Sequence, residues 1–335
     1  MDRVKLEITW SSLWRVFIFA LFVIVFYLGR QIILGLFLAI IIASGLERLA
    51  DWLEKTGLPR SICVILIFLV LLLLIILFVY SVFPIAIAQF NTIFSGAASG
   101  SGLAIFSSLK SSKSFSTMLT NLSSQVFSGS GSPLDFFSSA LGGFGLALSV
   151  IISSFYLSLS RDGVERFIQV VVPPDYEPTV LRVYARAKKK LGAWFQMQIV
   201  LMIIMGFTVW GGMALLGVPY AFFIGALAGV FELVPFLGPI LAGAVAVISA
   251  LGTSSTLAIY TLVFFVIAQQ FESNLLVPLL SRHTIGIHPV IAIVALLIGA
   301  EVGGILGIVI SIPAAAVFQE IVEEWSTKKR TPVAA

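Results

Sequence analysis

Charge is what this sequence has least of. Of its 335 residues, 11% are charged and 59% are hydrophobic, whereas a soluble domain carries about 25% charged residues. A soluble chain this apolar has nothing to cover its core with, so the composition calls for a lipid bilayer as solvent. Cysteine is nearly missing. The single Cys63 sits in an apolar run, which excludes an intramolecular disulfide, and no Cys/His spacing suits a metal such as zinc. No Gly-rich loop ends in a Lys, so the chain does not read as an ATPase. There is no His-Glu-x-x-His and no Gly-x-Ser-x-Gly, so neither a metalloprotease nor a serine hydrolase is indicated. No basic run is interleaved with aromatics, which argues against nucleic acid. The expectation is a non-enzyme with no cofactor.

Long apolar runs are what is there. A helical span needs about 20 apolar residues. Runs over 16–29, 31–46, 61–83, 136–160, 191–216 and 256–277 read as six spans. The first follows Arg3, Lys5 and Arg15 and reads as a retained signal anchor, because no small-residue cleavage site precedes a polar region. Two further apolar stretches are interrupted. Residues 219–251 break at Glu232 to Pro239, and 288–322 break near Gly299 to Gly304. The sequence predicts an all-α polytopic membrane protein with about six full transmembrane helices plus two broken or re-entrant hairpins.

The chain divides into N-terminal scaffold helices (1–94), a Ser/Gly-rich segment (95–135), a single span (136–160), a polar segment (161–190) and a C-terminal transport core (191–325). Apolar residues at helical spacing in the Ser/Gly-rich part predict two amphipathic helices on the extracytoplasmic side, lying at the membrane surface or packing on a neighbour. Cytoplasmic loops collect Lys and Arg. Placing 161–190 in the cytoplasm puts Arg48, Lys55, Arg60 and both termini there as well. The cluster Arg182, Arg186, Lys188, Lys189 and Lys190 then reads as a topology signal and a contact for anionic lipid.

Between Leu191 and Gln319 only Glu232, Glu272, Arg282 and Glu301 carry charge. A charge at bilayer depth costs roughly 2.5 kcal/mol or more unless paired, protonated or wetted. Each glutamate adjoins a helix breaker: Pro235, Gly238 and Pro239 near Glu232, Pro278 near Glu272, and Gly299, Gly303 and Gly304 around Glu301. Broken helices leave backbone groups free to line a cavity, and transporters bind solutes there. Gln198, Gln270, Ser273 and Asn274 supply neighbouring hydrogen-bonding groups. His283 and His288 read as interfacial or capping residues, and the Gly299, Gly303, Gly307 ladder as close helix packing.

The runs 231–239 (FELVPFLGP) and 270–278 (QFESNLLVP), with His288-Pro289 and the later Gly299, Gly303, Gly307 and Pro313, resemble the signature of the autoinducer-2 exporter family of bacterial and archaeal permeases. Met197 stands between Gln196 and Gln198 where members often carry glycine. The resemblance implies a multi-pass permease of a cell membrane, a homopentamer, and an elevator-like fold with two re-entrant hairpins. Some members export autoinducer-2; others are described as sodium(lithium)/proton antiporters. The first expectation is a secondary transporter exporting a small polar solute. The alternative is an antiporter exchanging a proton for a monovalent cation at the embedded glutamates. The candidate binding residues are Gln198, Glu232, Pro235, Gly238, Pro239, Gln270, Glu272, Asn274, Pro278 and Glu301.

Overall fold

The computed structural model describes residues 10–99, 144–235, 237–280 and 288–330, and among them there is no strand. The helices are α1 (Trp10–Leu28), α2 (Arg30–Glu54), α3 (Arg60–Ser99), α4 (Phe144–Leu159), α5 (Gly163–Val171) and α6 (Glu177–Leu216). They continue with α7 (Ala221–Phe231), α8 (Leu237–Leu251), α9 (Ser255–Phe271), a π-helical turn (Glu272–Leu276), α10 (Val277–Leu280) and α11 (Pro289–Arg330). Four stretches among the described residues, 30–54, 60–78, 177–216 and 255–280, are long and apolar enough to cross a membrane, and a fifth of that length, 290–326, is interrupted at Gly304. The chain is a polytopic helical membrane protein.

Two helices run further than the apolar runs suggest. α3 has 40 residues and passes Pro84 into the Ser-rich segment, about 60 Å at 1.5 Å per residue. The rest of that segment, 100–135, lies outside the described residues. α6 also has 40 residues. It joins the basic stretch 182–190 to the fifth apolar run without a break, because Lys and Arg are good helix formers, and Gly192 at the junction packs closely on the Ser44 backbone of α2. It ends at Gly217, whose φ of 72° is left-handed and suits a residue without Cβ.

α6 is a spine shared by two apolar cores. Its first half packs Leu191 and Trp194 with Ile41 of α2 and Ile310 of α11. Leu46 and Ala50 of α2 meet Val64 and Ile67 of α3 beside it, with Phe155 of α4 against them. Its second half packs Val209 and Met213 against Phe223 and Ile224 of α7, Ala242 and Ala246 of α8, and Phe265 of α9. Met197 contributes to the clusters at either end of this change.

Both interrupted stretches form pairs of helices. α7 and α8 are too short to span singly, at 11 and 15 residues. They pack on each other and α7 packs along α6. Three glycines make that seam. A Cβ on Gly225 would lie 2.8 Å from the Gly206 carbonyl, and one on Gly229 would lie 2.8 Å from the Met202 carbonyl. Small residues let backbones touch this way inside a membrane. In α11 the chain reverses at Gly304, whose φ of 58° and ψ of −135° are not helical. The proof of reversal is that a Cβ on Gly299 would strike the Gly307 carbonyl, and one on Gly307 the Gly299 carbonyl. Residues eight apart in a straight helix would stand about 12 Å apart. Pro289–Gly303 and 305–330 are therefore two arms of a hairpin. Its expected glycine packing is present, and His288 Nδ1 accepts from the Val290 N–H at 3.4 Å, as a capping residue does. His283 and Arg282 lie outside the described residues.

The charged ends of α2, α4 and α11, with the starts of α3 and α6, meet at one end of the molecule. Arg60 and Arg161 both reach Asp51 and Glu54. Lys188 lies 3.0 Å from Glu47. Arg186 lies 3.0 Å from Glu320, Lys190 also contacts Glu320, and Arg182 and Arg186 hold Glu324. Most of the basic cluster therefore pairs with acids of the protein, which departs from its reading as a lipid contact. The partner acids, Glu47, Glu320 and Glu324, are distant in sequence and gave no local sign of the pairing.

Candidate functional site

Three polar residues from three elements converge where the two cores of α6 meet. Gln198 lies midway along α6 and is 1% exposed; Glu232 and Glu272 are 2% and 5% exposed. Glu232 is the first residue past α7, its N–H still bonded to the Ala228 carbonyl at 2.9 Å. Here the helix stops because the chain must turn toward α8. Gly238 allows the turn: a Cβ there would lie 2.8 Å from the Glu232 nitrogen and closer still to the Phe231 carbonyl. Pro235 and Pro239 are half-buried on either side of the turn.

Glu272 opens the π-helical turn at the end of α9. Pro278 explains the turn. It has no N–H to offer the carbonyl four residues back, and its ring crowds that carbonyl. The helix widens ahead of it, and the Val277 N–H bonds the Glu272 carbonyl five residues back. Such insertions are frequent at functional sites. The widened turn sends Glu272 inward between Ala268 and Leu276, which are both buried against α6.

The Glu232 and Glu272 carboxyls lie within hydrogen-bonding reach of each other. The Gln198 amide Nε2 donates to the Glu232 backbone carbonyl, while Gln198 Oε1 is buried with no partner. Gln269 Nε2 lies 3.5 Å from Glu272 Oε2. The atom left without a partner is the Gln198 amide oxygen, and the carboxyl groups beside it are oxygens too. They suit a ligand rich in hydrogen-bond donors.

The other sequence candidates fall elsewhere. Gln270 and Asn274 are on exposed faces of α9 and the π turn, as is Ser273, and Pro278 is exposed beyond them. Glu301 is exposed three residues before the reversal at Gly304. Gln269 was not singled out from the sequence. The π turn that aims Glu272 inward also decides which of the two adjacent glutamines follows it. Gln196, next to the site, is a strut. Its Nε2 donates to the Gly45 carbonyl at 2.7 Å and its Oε1 accepts from Arg48 at 2.7 Å.

Among the described residues no group of His, Cys, Asp and Glu is placed to hold a metal ion. A family profile described as AI-2E family transporter matches residues 16–327. YueF of Bacillus subtilis, named for transport, is 32% identical over 51% of this chain, a match covering 47% of that protein. YrrI of the same organism, also named for transport, is 22% identical over 94% of this chain and 89% of its own length. A Thermotoga maritima protein with a transport name is 25% identical over 86% of this chain and 87% of its own length.

Proposed function

The chain belongs to the AI-2E transporter family, and from that premise we propose that it exports a small polar solute of the autoinducer-2 class through the site at Gln198, Glu232 and Glu272. The observation that carries the proposal is the unpartnered Gln198 Oε1, buried beside the Glu232–Glu272 pair. A neutral solute with several hydroxyl groups offers the donor that this oxygen lacks. A buried acceptor left unpaired is costly, so a donor-bearing ligand gains what the empty site forgoes.

The site is shut in this conformation, since all three residues are buried. Loading it requires the first hairpin, α7–α8, to move with α9 along the second half of α6. The glycine seam at Gly206, Gly225 and Gly229 suits such sliding, because backbone lies directly against backbone there. In this reading both hairpins are re-entrant, the charged end faces the cytoplasm, and the protein works in a cell membrane as a homopentamer. Exchange of a cation for a proton enters as an outcome of the test.

The test is flux in proteoliposomes of the full chain. Autoinducer-2 and related polyols should accumulate against a protein-free control, and Gln198→Met should abolish that. Sodium-dependent proton movement with no polyol flux would replace the export reading by the exchange reading.

A further inference from the structure

A second polar pocket lies at the charged end of the molecule, away from the Gln198 site. It is lined by Ser44 and Glu47 of α2, Ser158 of α4, Glu165 of α5, and Tyr184 and Lys188 of α6. Arg60, Ser160 and Arg161 also line it, and the exposure of the last two brings it to the surface. We propose that this pocket binds a primary ammonium group.

Two atoms carry the inference. Ser158 is 4% exposed, and its Oγ has no hydrogen-bond partner. Glu165 Oε2 is also buried without one. Lys188 lies 3.0 Å from Glu47 and 3.7 Å from the other Glu165 oxygen, so it leaves Oε2 open. The ion-pair network at the pocket joins four acids, Glu47 and Glu165 of the lining with Asp51 and Glu54 outside it, to three lining cations, Arg60, Arg161 and Lys188. One negative charge is in excess. A ligand that is cationic and donates hydrogen bonds answers both the charge and the open oxygens. An ammonium with three N–H groups does so, while a quaternary amine brings the charge without the donors.

Two sources can offer that group: an aminophospholipid headgroup or a soluble amine. The surroundings bring the lipid within reach. α5 starts four residues after the last residue of α4 and carries Phe167, Val170 and Val171 exposed at 66%, 85% and 61%. A short amphipathic helix at the end of a span lies in the headgroup boundary. Glu165 is on that same helix.

The experiment is native mass spectrometry of the purified full chain with phosphatidylethanolamine and phosphatidylcholine of identical acyl chains. A parallel thermal-shift series uses ethanolamine hydrochloride and sodium chloride at equal ionic strength. Phosphatidylethanolamine should be retained about tenfold better than phosphatidylcholine, the ratio one charge-assisted hydrogen bond supports. Glu165→Gln and Ser158→Ala should each lower that ratio toward one while helix content stays unchanged. Stabilisation by ethanolamine above sodium chloride, without preference between the lipids, assigns the site to a soluble amine. Equal retention of both lipids with equal shifts from both salts overturns the proposal. So does a wild-type lipid ratio in both variants.

Discussion

The Gln198 side chain donates its amide to the backbone carbonyl of Glu232, joining the middle of the α6 spine to the break between α7 and α8. One side chain thus holds the site's two halves in register. Gln198→Met keeps most of the volume but leaves the Glu232 carbonyl without a donor. That should cost about 1–3 kcal/mol, read as a lower unfolding midpoint in detergent. Gln198→Asn keeps the amide on a shorter arm and should not restore stability, because the bond depends on reach.

The two buried carboxyls should behave as one unit. A hydrogen bond between two carboxyls exists only while one of them holds a proton. Glu232→Ala and Glu272→Ala each remove one partner, and the double variant removes the pair. Their effects on flux and stability should be strongly non-additive, with a coupling of about 1 kcal/mol or more. Additive effects in a double-mutant cycle would separate the two residues and dissolve the site as drawn.

The sequence made the acids legible because charge is scarce in the apolar runs, and it made the breaks legible because Pro and Gly mark them. Orientation was hidden. Glu301 shares the pattern of an acid beside a breaker with Glu232 and Glu272, yet it is exposed near the hairpin reversal. Gln270 and Gln269 are adjacent, and only the π turn after α9 determines which of them lies near Glu272. The partners of Lys190 and Arg186 were illegible for another reason. They sit on α11, more than a hundred residues along, and no local pattern announces pairing at that distance.

The second hairpin should depend on glycine at two facing positions. A methyl group on Gly299 or Gly307 would run into the backbone of the opposite arm. Backbone cannot move aside as a flexible side chain can, so Gly307→Ala should cost about 3 kcal/mol or separate the arms. Gly211→Ala is the control. It is also helical, and nothing lies within 4 Å of its added Cβ. That change should raise stability by up to about 1 kcal/mol through helix propensity. Thermal unfolding of the two variants side by side distinguishes close packing from a general intolerance of substitution.

The contact between α6 and the end of α11 should be worth more than a surface ion pair. Glu320 is 2% exposed, contacts Lys190, and lies 3.0 Å from Arg186. Exposed pairs contribute little, whereas removing one partner of a buried pair strands the other charge at a cost of about 3–5 kcal/mol. Lys190→Glu would set two carboxylates against each other and should lower the unfolding midpoint sharply. Adding Glu320→Lys restores opposite charges across the same contact, although Arg186 then faces a lysine. The swapped double variant should therefore recover part of the loss and not all of it. Full recovery would mean that Lys190 alone holds Glu320. No recovery would mean that Arg186 is the dominant partner, and Arg186→Glu with Glu320→Lys should then be the pair that rescues.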